Sequence, residues 1–468
     1  MNIPRLTRRD FLRLGNVGIA GCSLLPMLKP RNVEARESVE PRGGAEVCIL
    51  IFLQGAPSQM ETFDVKEGPG TPDDLGIRTI TPGLRMPAGT LPRLSDRTNK
   101  YTIIRSLEAW ELDHKRGDYY LQTARKRTPA LRDEVPSVGA VIAYEKLNDR
   151  KETDFLPPFI NLNVGTDRLV GSGLLPPRCG PMTVRPRNTP PFVLSEGERA
   201  IFGRRRDLLK RLDSEWRAEG SRRSSIFSDL DDYYQSAYLL GNPKAASVFT
   251  ITEEDKRRFG KCSSPVLGEE DFGFGHLGYS CAVARNIVQA DAGTKFIIVN
   301  HSSWDLHSNA FDKKVGGNQY KMNAELDTAV ANLLDDLEAR TDDKGRRLID
   351  KTLVVCMGEF GRTPGPLNAA KGRDHHKRAF VGLFAGAGVK PGQVIGGTDE
   401  LADRVTDPGW HKPRSIYPED VIATIYSTMG IDWTKKITET PSGQHFEYIN
   451  PLSPEGLRDF GEIPELFG

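Results

Sequence analysis

An aspartate and a histidine spaced two residues apart, Asp305 and His307, are the first candidates for chemistry in this sequence. They follow an apolar segment, residues 295–299, which has the composition of a buried strand. In an extended backbone, residues two apart point to the same side, so a carboxylate and an imidazole would face one way. Such a pair either forms half of a metal site or belongs to a polar loop that hydrogen-bonds with itself.

A second polar segment follows another apolar run, residues 352–357. Glu359 is placed there to act as a metal ligand or a base, and the guanidinium of Arg362 to hold an anion through two parallel hydrogen bonds. The competing interpretation is an ordinary surface ion pair. Beyond Glu359 and Arg362 the chain is loop-like and rich in glycine and proline as far as residue 378.

The next strand, at residues 380–385, is predicted to run antiparallel to its neighbour. A parallel return normally needs a crossover helix, and residues 358–378 show no helical pattern. The leading end of this strand would then share a sheet edge with Glu359. Three separate loops would bring together five side chains: Asp305, His307, Glu359, Asp374 and His375.

His114 follows a further strand, and it either joins this set or is a surface histidine beside a helix start. Carboxylates and imidazoles suit a divalent zinc, manganese, iron or calcium ion rather than a thiolate-bound metal. Such an ion would lower the pKa of a bound water or hydroxyl nucleophile and shield an ester oxyanion. The expected metal ligands are Asp305, His307, His375 and Glu359. The expected catalytic residues are Glu359, Arg362 and Asp374, and Arg362, Arg373 and Lys377 would add positive potential for a phosphate or sulfate group.

Alternating strands and helices must position these residues. Strands are predicted at residues 47–53, 101–104, 159–162, 295–299, 352–357 and 380–385, and helical patterns at 204–242, 319–340 and 417–429. This alternation predicts an α/β fold with a mostly parallel central sheet and helices on both faces. In such sheets, sites form in the loops after the carboxyl ends of the strands.

The charge balance limits the class of partner. The 468 residues include 64 basic and 63 acidic side chains, which gives a net charge of +1. This balance argues against a nucleic-acid-binding protein, which usually has a basic surplus. We expect residues 1–35 to form a leader and linker. Residues 45–465 are expected to form a single domain with loop and helical insertions at about 165–290.

The N-terminus has the pattern of a twin-arginine export signal. Arg8 and Arg9 precede an aromatic–leucine step and an apolar run at residues 14–28. Such a signal is an address read by the twin-arginine translocase, and this run is too short and glycine-rich for a transmembrane anchor. We therefore expect a periplasmic or secreted protein. A small-residue segment ending at Cys22 resembles a lipobox, so simple cleavage and lipid anchoring at Cys22 both stay open.

Four further motifs occur in order along the chain: residues 52–59 (FLQGAPSQ) with Phe63 and Asp64, residues 304–307 (WDLH), 358–364 (GEFGRTP) and 372–375 (GRDH). With the leader, they resemble an uncharacterised exported domain-of-unknown-function family related to sulfatases and alkaline phosphatases. The resemblance covers residues from about 45 to 465. It implies the alkaline-phosphatase-like α/β/α sandwich, whose members hydrolyse phosphate or sulfate esters at a divalent-metal site.

The resemblance also implies roles for individual residues. Asp305 and His307 are similar to a metal-binding Asp/His pair of that superfamily, and His375 to a later metal-binding histidine. Glu359 stands where the superfamily usually has an Asp-His pair, and Gln54 near the point where it places a metal aspartate. One ligand is therefore altered, and the resemblance leaves the second metal position of the superfamily unassigned.

Taken together, these features predict an exported, sulfatase-like, metal-dependent hydrolase of sulfate or phosphate esters. The expected substrate is an anionic ester or a sulfated glycan. The alternative is a catalytically degenerate member that acts as a periplasmic binding or assembly protein, in which the polar loops stabilise one another or bind a glycan. A third interpretation is group transfer at a single metal.

Overall fold

The central strand, β1 (Val47–Leu53), is buried along its whole length, as its unbroken apolar run predicts. It belongs to a computed structural model that describes residues 38–468 apart from 164–167, 187–194, 215–242, 272–276, 439, 441–442, 444, 451–455 and 458. The expected leader and most of the helical pattern at 204–242 lie outside the described residues.

Seven further strands join β1 in one sheet: β2 (Thr102–Leu107), β3 (Phe159–Leu162), β4 (Met182–Val184), β5 (Phe296–His301), β6 (Thr352–Met357), β7 (Phe380–Ala385) and β8 (Val394–Ile395). The strand order is β8-β2-β7-β6-β1-β5-β3-β4. Every pairing is parallel except the two made by β7, with β6 and with β2. The predicted mostly parallel sheet and the antiparallel direction of β7 are therefore confirmed.

The described helices are α1 (Pro92–Ser95), α2 (His114–Thr123), α3 (Val138–Glu145), α4 (Glu196–Leu212), α5 (Pro243–Val248), α6 (Glu253–Phe259), α7 (Leu277–Ala290), α8 (Gln319–Ala339) and α9 (Pro418–Thr428). The helices predicted at 319–340 and 417–429 match α8 and α9 to within one residue at each end. Helix α9 begins at Pro418 because proline fits the first helical position, and two acidic residues in its first turn favour the helix dipole. Among the described residues, no helix has both the length and the apolar character needed to span a membrane.

Alternate residues of β1 supply two separate cores. Leu50 and Phe52 pack in one cluster with residues of α3 and α9. Ile49 and Ile51 pack in the other with residues of α7 and α8. Because neighbouring strand residues point to opposite faces, this alternation covers both sides of the sheet with helices. The protein is an α/β/α sandwich, as the sequence predicts.

Short two-stranded ribbons complete the structure: Ile77–Thr81 with Leu84–Pro87, Lys261–Ser264 with Gly268–Asp271, Gly361–Arg362 with His375–His376, Gly397–Thr398 with Val405–Asp407, and Lys436–Ile437 with Phe446–Glu447. The ribbon of Gly361–Arg362 with His375–His376 lies between β6 and β7. It brings the polar segment after β6 against the one before β7, so both reach the same edge of the sheet.

Candidate metal centre

Polar loops converge at the carboxyl edge of the sheet, and two glycines allow their backbones to touch. Gly55, after β1, has φ +106°, and a Cβ there would lie 2.6 Å from the backbone nitrogen of Asp305. A Cβ on Gly372 would lie 2.1 Å from the carbonyl carbon of His307. Only glycine permits such close approach. These contacts hold the loop after β5 between the loop after β1 and the segment before β7.

Four side chains aim a potential ligand atom at one point: His114, Asp305, His307 and His375. Their ligand atoms all lie within 4.8 Å of one another. Asp305 Oδ1 is 3.0 Å from His114 Nε2 and 3.0 Å from His307 Nε2. His375 Nε2 is 3.5 Å from Asp305 Oδ1 and 2.9 Å from His307 Nε2. We call these four residues the metal cluster.

The outer nitrogen of each imidazole donates a hydrogen bond away from this point. His114 Nδ1 lies 2.6 Å from Glu359 Oε1, and His307 Nδ1 lies 2.9 Å from Asp374 Oδ1. His375 Nδ1 lies 2.5 Å from the carbonyl oxygen of Leu112. Since a carbonyl only accepts, His375 must carry its proton on Nδ1, and the carboxylates favour the same tautomer in the other two rings. Each Nε2, when it carries no proton, then directs a lone pair inward.

Three inward lone pairs beside a carboxylate repel one another unless a cation lies between them. In a tetrahedral site with metal–ligand bonds of about 2.0 Å, neighbouring ligand atoms are about 3.3 Å apart. The four distances given above between ligand atoms of the cluster, 2.9 to 3.5 Å, are close to this value. His114 Nε2 is buried and lies 3.0 Å from Asp305 Oδ1. Histidine ligands held through their second nitrogen by carboxylates or carbonyls are the usual arrangement in metal sites. The residues present therefore fit a divalent ion.

Electrostatics inside the cluster locate the proton that such an ion must displace. Burial opposes the charge on His114, but hydrogen bonds to Asp305 and Glu359 outweigh it and raise the pKa of His114 to about 9. Burial likewise opposes ionisation of Asp305, yet His114 and Arg362 hold its pKa well below the usual value. Because metal binding displaces the His114 proton, the affinity of the cluster for a metal should rise with pH.

Glu359, predicted as a ligand and a catalytic residue, lies behind His114 in this structure. Its side chain is fully buried. Its carboxylate accepts hydrogen bonds from the backbone N–H groups of Gly55, at 3.0 Å, and Ala56, at 3.2 Å, as well as from His114 Nδ1. With these contacts Glu359 holds the orientation of His114, and it is not among the inward-facing residues of the cluster.

Arg362, predicted to hold a substrate anion, instead holds Asp305. Its guanidinium is 2.5 Å from Asp305 Oδ1. Its other donors bind three backbone carbonyls, those of Gly55, Ala56 and Arg373. The expected two parallel hydrogen bonds to an anion do not fit this arrangement, because nearly every N–H group is already used. The ion pair considered as the alternative does form, but with a buried guanidinium and a partly exposed carboxylate.

Asp374 and Arg373 also differ from their expected roles. Asp374, predicted to be catalytic, accepts from His307 Nδ1, and this hydrogen bond lowers the pKa of Asp374. An acidic carboxyl group is a poor base, so Asp374 is suited to orient His307. Arg373 is buried and binds Glu61 Oε1 at 2.7 Å. It therefore adds no positive potential at the cluster surface.

His114 is the member of the cluster for which the sequence left two interpretations open. It is the first residue of α2, and the side chain of Asp113 caps this helix by accepting from the backbone N–H of Arg116. The cap begins the helix directly after the loop from β2, so His114 faces the edge shared by the other loops. A capped helix start just beyond the carboxyl end of a strand was the available signal, but it does not specify the direction of the side chain.

Replacing Glu359 with glutamine should weaken metal binding by about 10–100-fold, the usual effect of losing an outer carboxylate partner of a metal-bound histidine. The amide no longer supports the basicity of His114, although the four cluster residues stay in place. Calorimetric titration of the metal-free protein with Zn²⁺ measures this change. Glu419→Gln is the matched control, because Glu419 is a buried carboxylate that binds Tyr120 and Trp110 instead. Equal affinity in Glu359→Gln and wild type would contradict the assigned role.

No curated protein matches the sequence. Solved structures that resemble it include an alkaline phosphatase superfamily protein from Vibrio parahaemolyticus, with 12% identity, TM-score 0.36, and coverage of 92% of this chain and 76% of that one. The PsFucS1 sulfatase from Pseudoalteromonas sp. is 14% identical, with TM-score 0.35 and coverage of 95% and 75%.

The phosphonate monoester hydrolase SpPMH from Silicibacter pomeroyi is 9% identical, with TM-score 0.37 and coverage of 91% of this chain and 77% of that one. With TM-scores below 0.5, these likenesses do not define the architecture, which rests on the strand order and the two helical layers described above. A family model is more direct evidence. The model described as "Protein of unknown function (DUF1501)" matches residues 45–455, most of the chain. This protein therefore belongs to the DUF1501 family.

Proposed function

We propose that this protein is an exported, metal-dependent hydrolase of sulfate or phosphate esters. The observation that carries the proposal is the convergence of three imidazole Nε2 atoms and one carboxylate oxygen, with each outer imidazole nitrogen already hydrogen-bonded. The ester class is supported by the resemblance of the sequence motifs to sulfatases and alkaline phosphatases. Export is supported by the twin-arginine pattern at Arg8 and Arg9.

The ligand set narrows the choice of ion. Three imidazoles and one carboxylate suit zinc, manganese or iron. Calcium, which was among the expected ions, prefers a shell made of oxygen atoms alone. When bound, the ion would supply Lewis acidity and lower the pKa of a coordinated water. The ligands that would hold it are His114, Asp305, His307 and His375.

The surrounding residues would prepare this site for an ester. Arg362 and Glu359 are buried and fix Asp305 and His114 through hydrogen bonds, so the cluster is preorganised. The Phe360 ring lies 4.9 Å from both His114 and His375 and forms an apolar wall. The side chains of Asp305 and His307 are 45% and 42% exposed, so an ester can approach from their side.

Metal removal and replacement test the proposal. Protein purified without chelator should contain about one equivalent of a divalent ion, and it should hydrolyse 4-nitrophenyl sulfate or 4-nitrophenyl phosphate. Dialysis against a chelator should abolish the hydrolysis, and Zn²⁺ or Mn²⁺ should restore it. Bound metal without hydrolysis in a screen of sulfate and phosphate esters would favour the binding or assembly protein instead. Protein that binds no divalent ion would contradict the proposal.

A further inference from the structure

A cavity of about 570 Å³ opens beside α2, the helix that begins with His114. Its walls combine basic, aromatic, apolar and small residues. They are Lys115, Tyr119, Arg127, Arg132, Asp133, Val135, Arg168, Leu169, Val170, Gly171, Ser172 and Gly173. A volume of this size is typical of pockets that hold whole organic ligands, and it exceeds what a bare inorganic anion fills.

The lining of this cavity is strongly basic. It carries four cationic side chains and one acidic side chain, Asp133. The chain as a whole has almost equal numbers of basic and acidic residues. The positive charge of the cavity is therefore a local concentration and does not reflect a generally basic protein. Clefts lined by charges of one sign focus the electrostatic potential and attract ligands of the opposite sign.

The cationic groups are available to a ligand. Among the residues that the structure describes, neither Lys115 nor Arg127 forms an ion pair, and both are exposed. Within the described part of the chain, Arg132 pairs only with its exposed neighbour Asp133, at 3.2 Å, and such surface pairs contribute little. Arg168 is held by the buried carboxylate of Asp118, at 2.9 Å. One guanidinium is thus held by a buried carboxylate, while the three other cationic side chains are exposed.

The cavity adjoins the metal cluster along the chain and through hydrogen bonds. Lys115 immediately follows His114, and consecutive Cα atoms are only about 3.8 Å apart. Asp118, which holds Arg168, also accepts a hydrogen bond of 2.8 Å from Gln54 in the loop after β1. Gly55, the next residue of that loop, donates to Glu359. Helix α2 thus contributes its first residue to the metal cluster and its second to the cavity wall.

We propose that this basic cavity is a second anion subsite, which binds a sulfate, phosphate or carboxylate group of the same substrate whose ester lies at the metal cluster. The substrate class is then a polyanionic oligosaccharide rather than a small monoester. This inference rests on the proposed function, which it deepens by naming the substrate class. In such a molecule, anionic groups occur at intervals along the sugar chain, so one group can lie in the cavity while another lies at the metal cluster.

The test measures binding of a tetrasaccharide with one sulfate on each sugar, by calorimetry on the full metal-loaded chain. Arg127→Gln/Arg132→Gln should bind it at least about tenfold more weakly than wild type, since each hydrogen bond to a charged group contributes on the order of tenfold in affinity. Lys126→Gln is the matched control, because Lys126 is an exposed neighbour that does not line the cavity. Lys126→Gln should bind the tetrasaccharide with the affinity of the wild type. Because salt screens charges, the affinity of the wild type should fall at high ionic strength.

Two further measurements distinguish the subsite proposal from the proposed ester hydrolysis. Inorganic sulfate should bind at least about tenfold more weakly than the tetrasaccharide, and equal affinity would overturn the substrate class. The metal-cluster variant His307→Ala should keep part of its tetrasaccharide affinity, and this remainder should fall in the added Arg127→Gln/Arg132→Gln background. That result would support the subsite even if no ester hydrolysis were found. Undetectable tetrasaccharide binding, or equal affinities of the double variant and Lys126→Gln, would overturn the proposal.

Discussion

Replacing His307 with alanine is expected to remove the bound metal and to lower ester hydrolysis on the order of a thousandfold, because activation of water by the ion is lost. His307 Nε2 lies 3.0 Å from Asp305 Oδ1 and 2.9 Å from His375 Nε2, so it is central to the cluster. The substitution leaves three ligands, His114, Asp305 and His375, and removes the fourth from the coordination shell. His375→Ala and His114→Ala should have the same effect for the same reason.

Elemental analysis of the purified variants measures this loss directly, and ester hydrolysis assays follow it. His411→Ala is the matched control: its side chain is 47% exposed, against 42% for His307, and it contacts Glu465 far along the sequence from the cluster. His411→Ala should retain the metal and the activity. A full equivalent of metal in both His307→Ala and His375→Ala would remove these histidines from the site.

Replacing Arg373 with methionine should lower the free energy of unfolding by about 3–5 kcal/mol, the usual cost of leaving one member of a buried ion pair without its partner. The Arg373 and Glu61 side chains are 3% and 0% exposed, and they are 2.7 Å apart. Arg373 also donates to the carbonyl oxygens of Thr363 and Gly365. The substitution strands the Glu61 carboxylate in the interior and frees the loop after β6.

Chemical denaturation of the metal-free protein isolates this effect from any change in metal affinity. Arg378→Met provides the comparison, because Arg378 forms an ion pair of similar length, 2.6 Å, with Asp403, but its side chain is 55% exposed. An exposed pair contributes about 1 kcal/mol or less. Arg373→Met should therefore be several times more destabilising than Arg378→Met. Equal decreases in the free energy of unfolding would show that the buried pair with Glu61 stabilises the protein no more than the exposed pair does.

The loop-rich segment between β6 and β7 shows how far sequence reasoning reached into the site. Its lack of a crossover helix predicted an antiparallel β7, and the pairing of β6 with β7 confirms this direction. From that topology followed the meeting of Asp305, His307 and His375, which the structure brings within reach of one ion. The inference worked because a parallel return normally needs a crossover helix, and the absence of a helical pattern is readable from sequence.

The roles of individual side chains within the site were harder to predict from sequence. Glu359, Arg362 and Asp374 have the residue types of ligands, anion binders and bases, but each contacts a residue of the metal cluster from outside it. Loop side chains follow no period of 2 or 3.6 residues, so sequence spacing does not define their directions. Those directions are set by partners distant in the chain, such as the Gly55 and Ala56 N–H groups that hold Glu359.

The sequence by itself determined the alternation of strands and helices, the apolar sheet centre and the set of loops that meet at its carboxyl edge. These features depend on local pattern and on burial, which the order of residue types encodes directly. The tertiary structure alone decided that His114 completes the cluster and that Glu359 stands behind it. That choice depends on backbone approaches across the fold, such as Gly55 against Asp305, which fix where each side chain points.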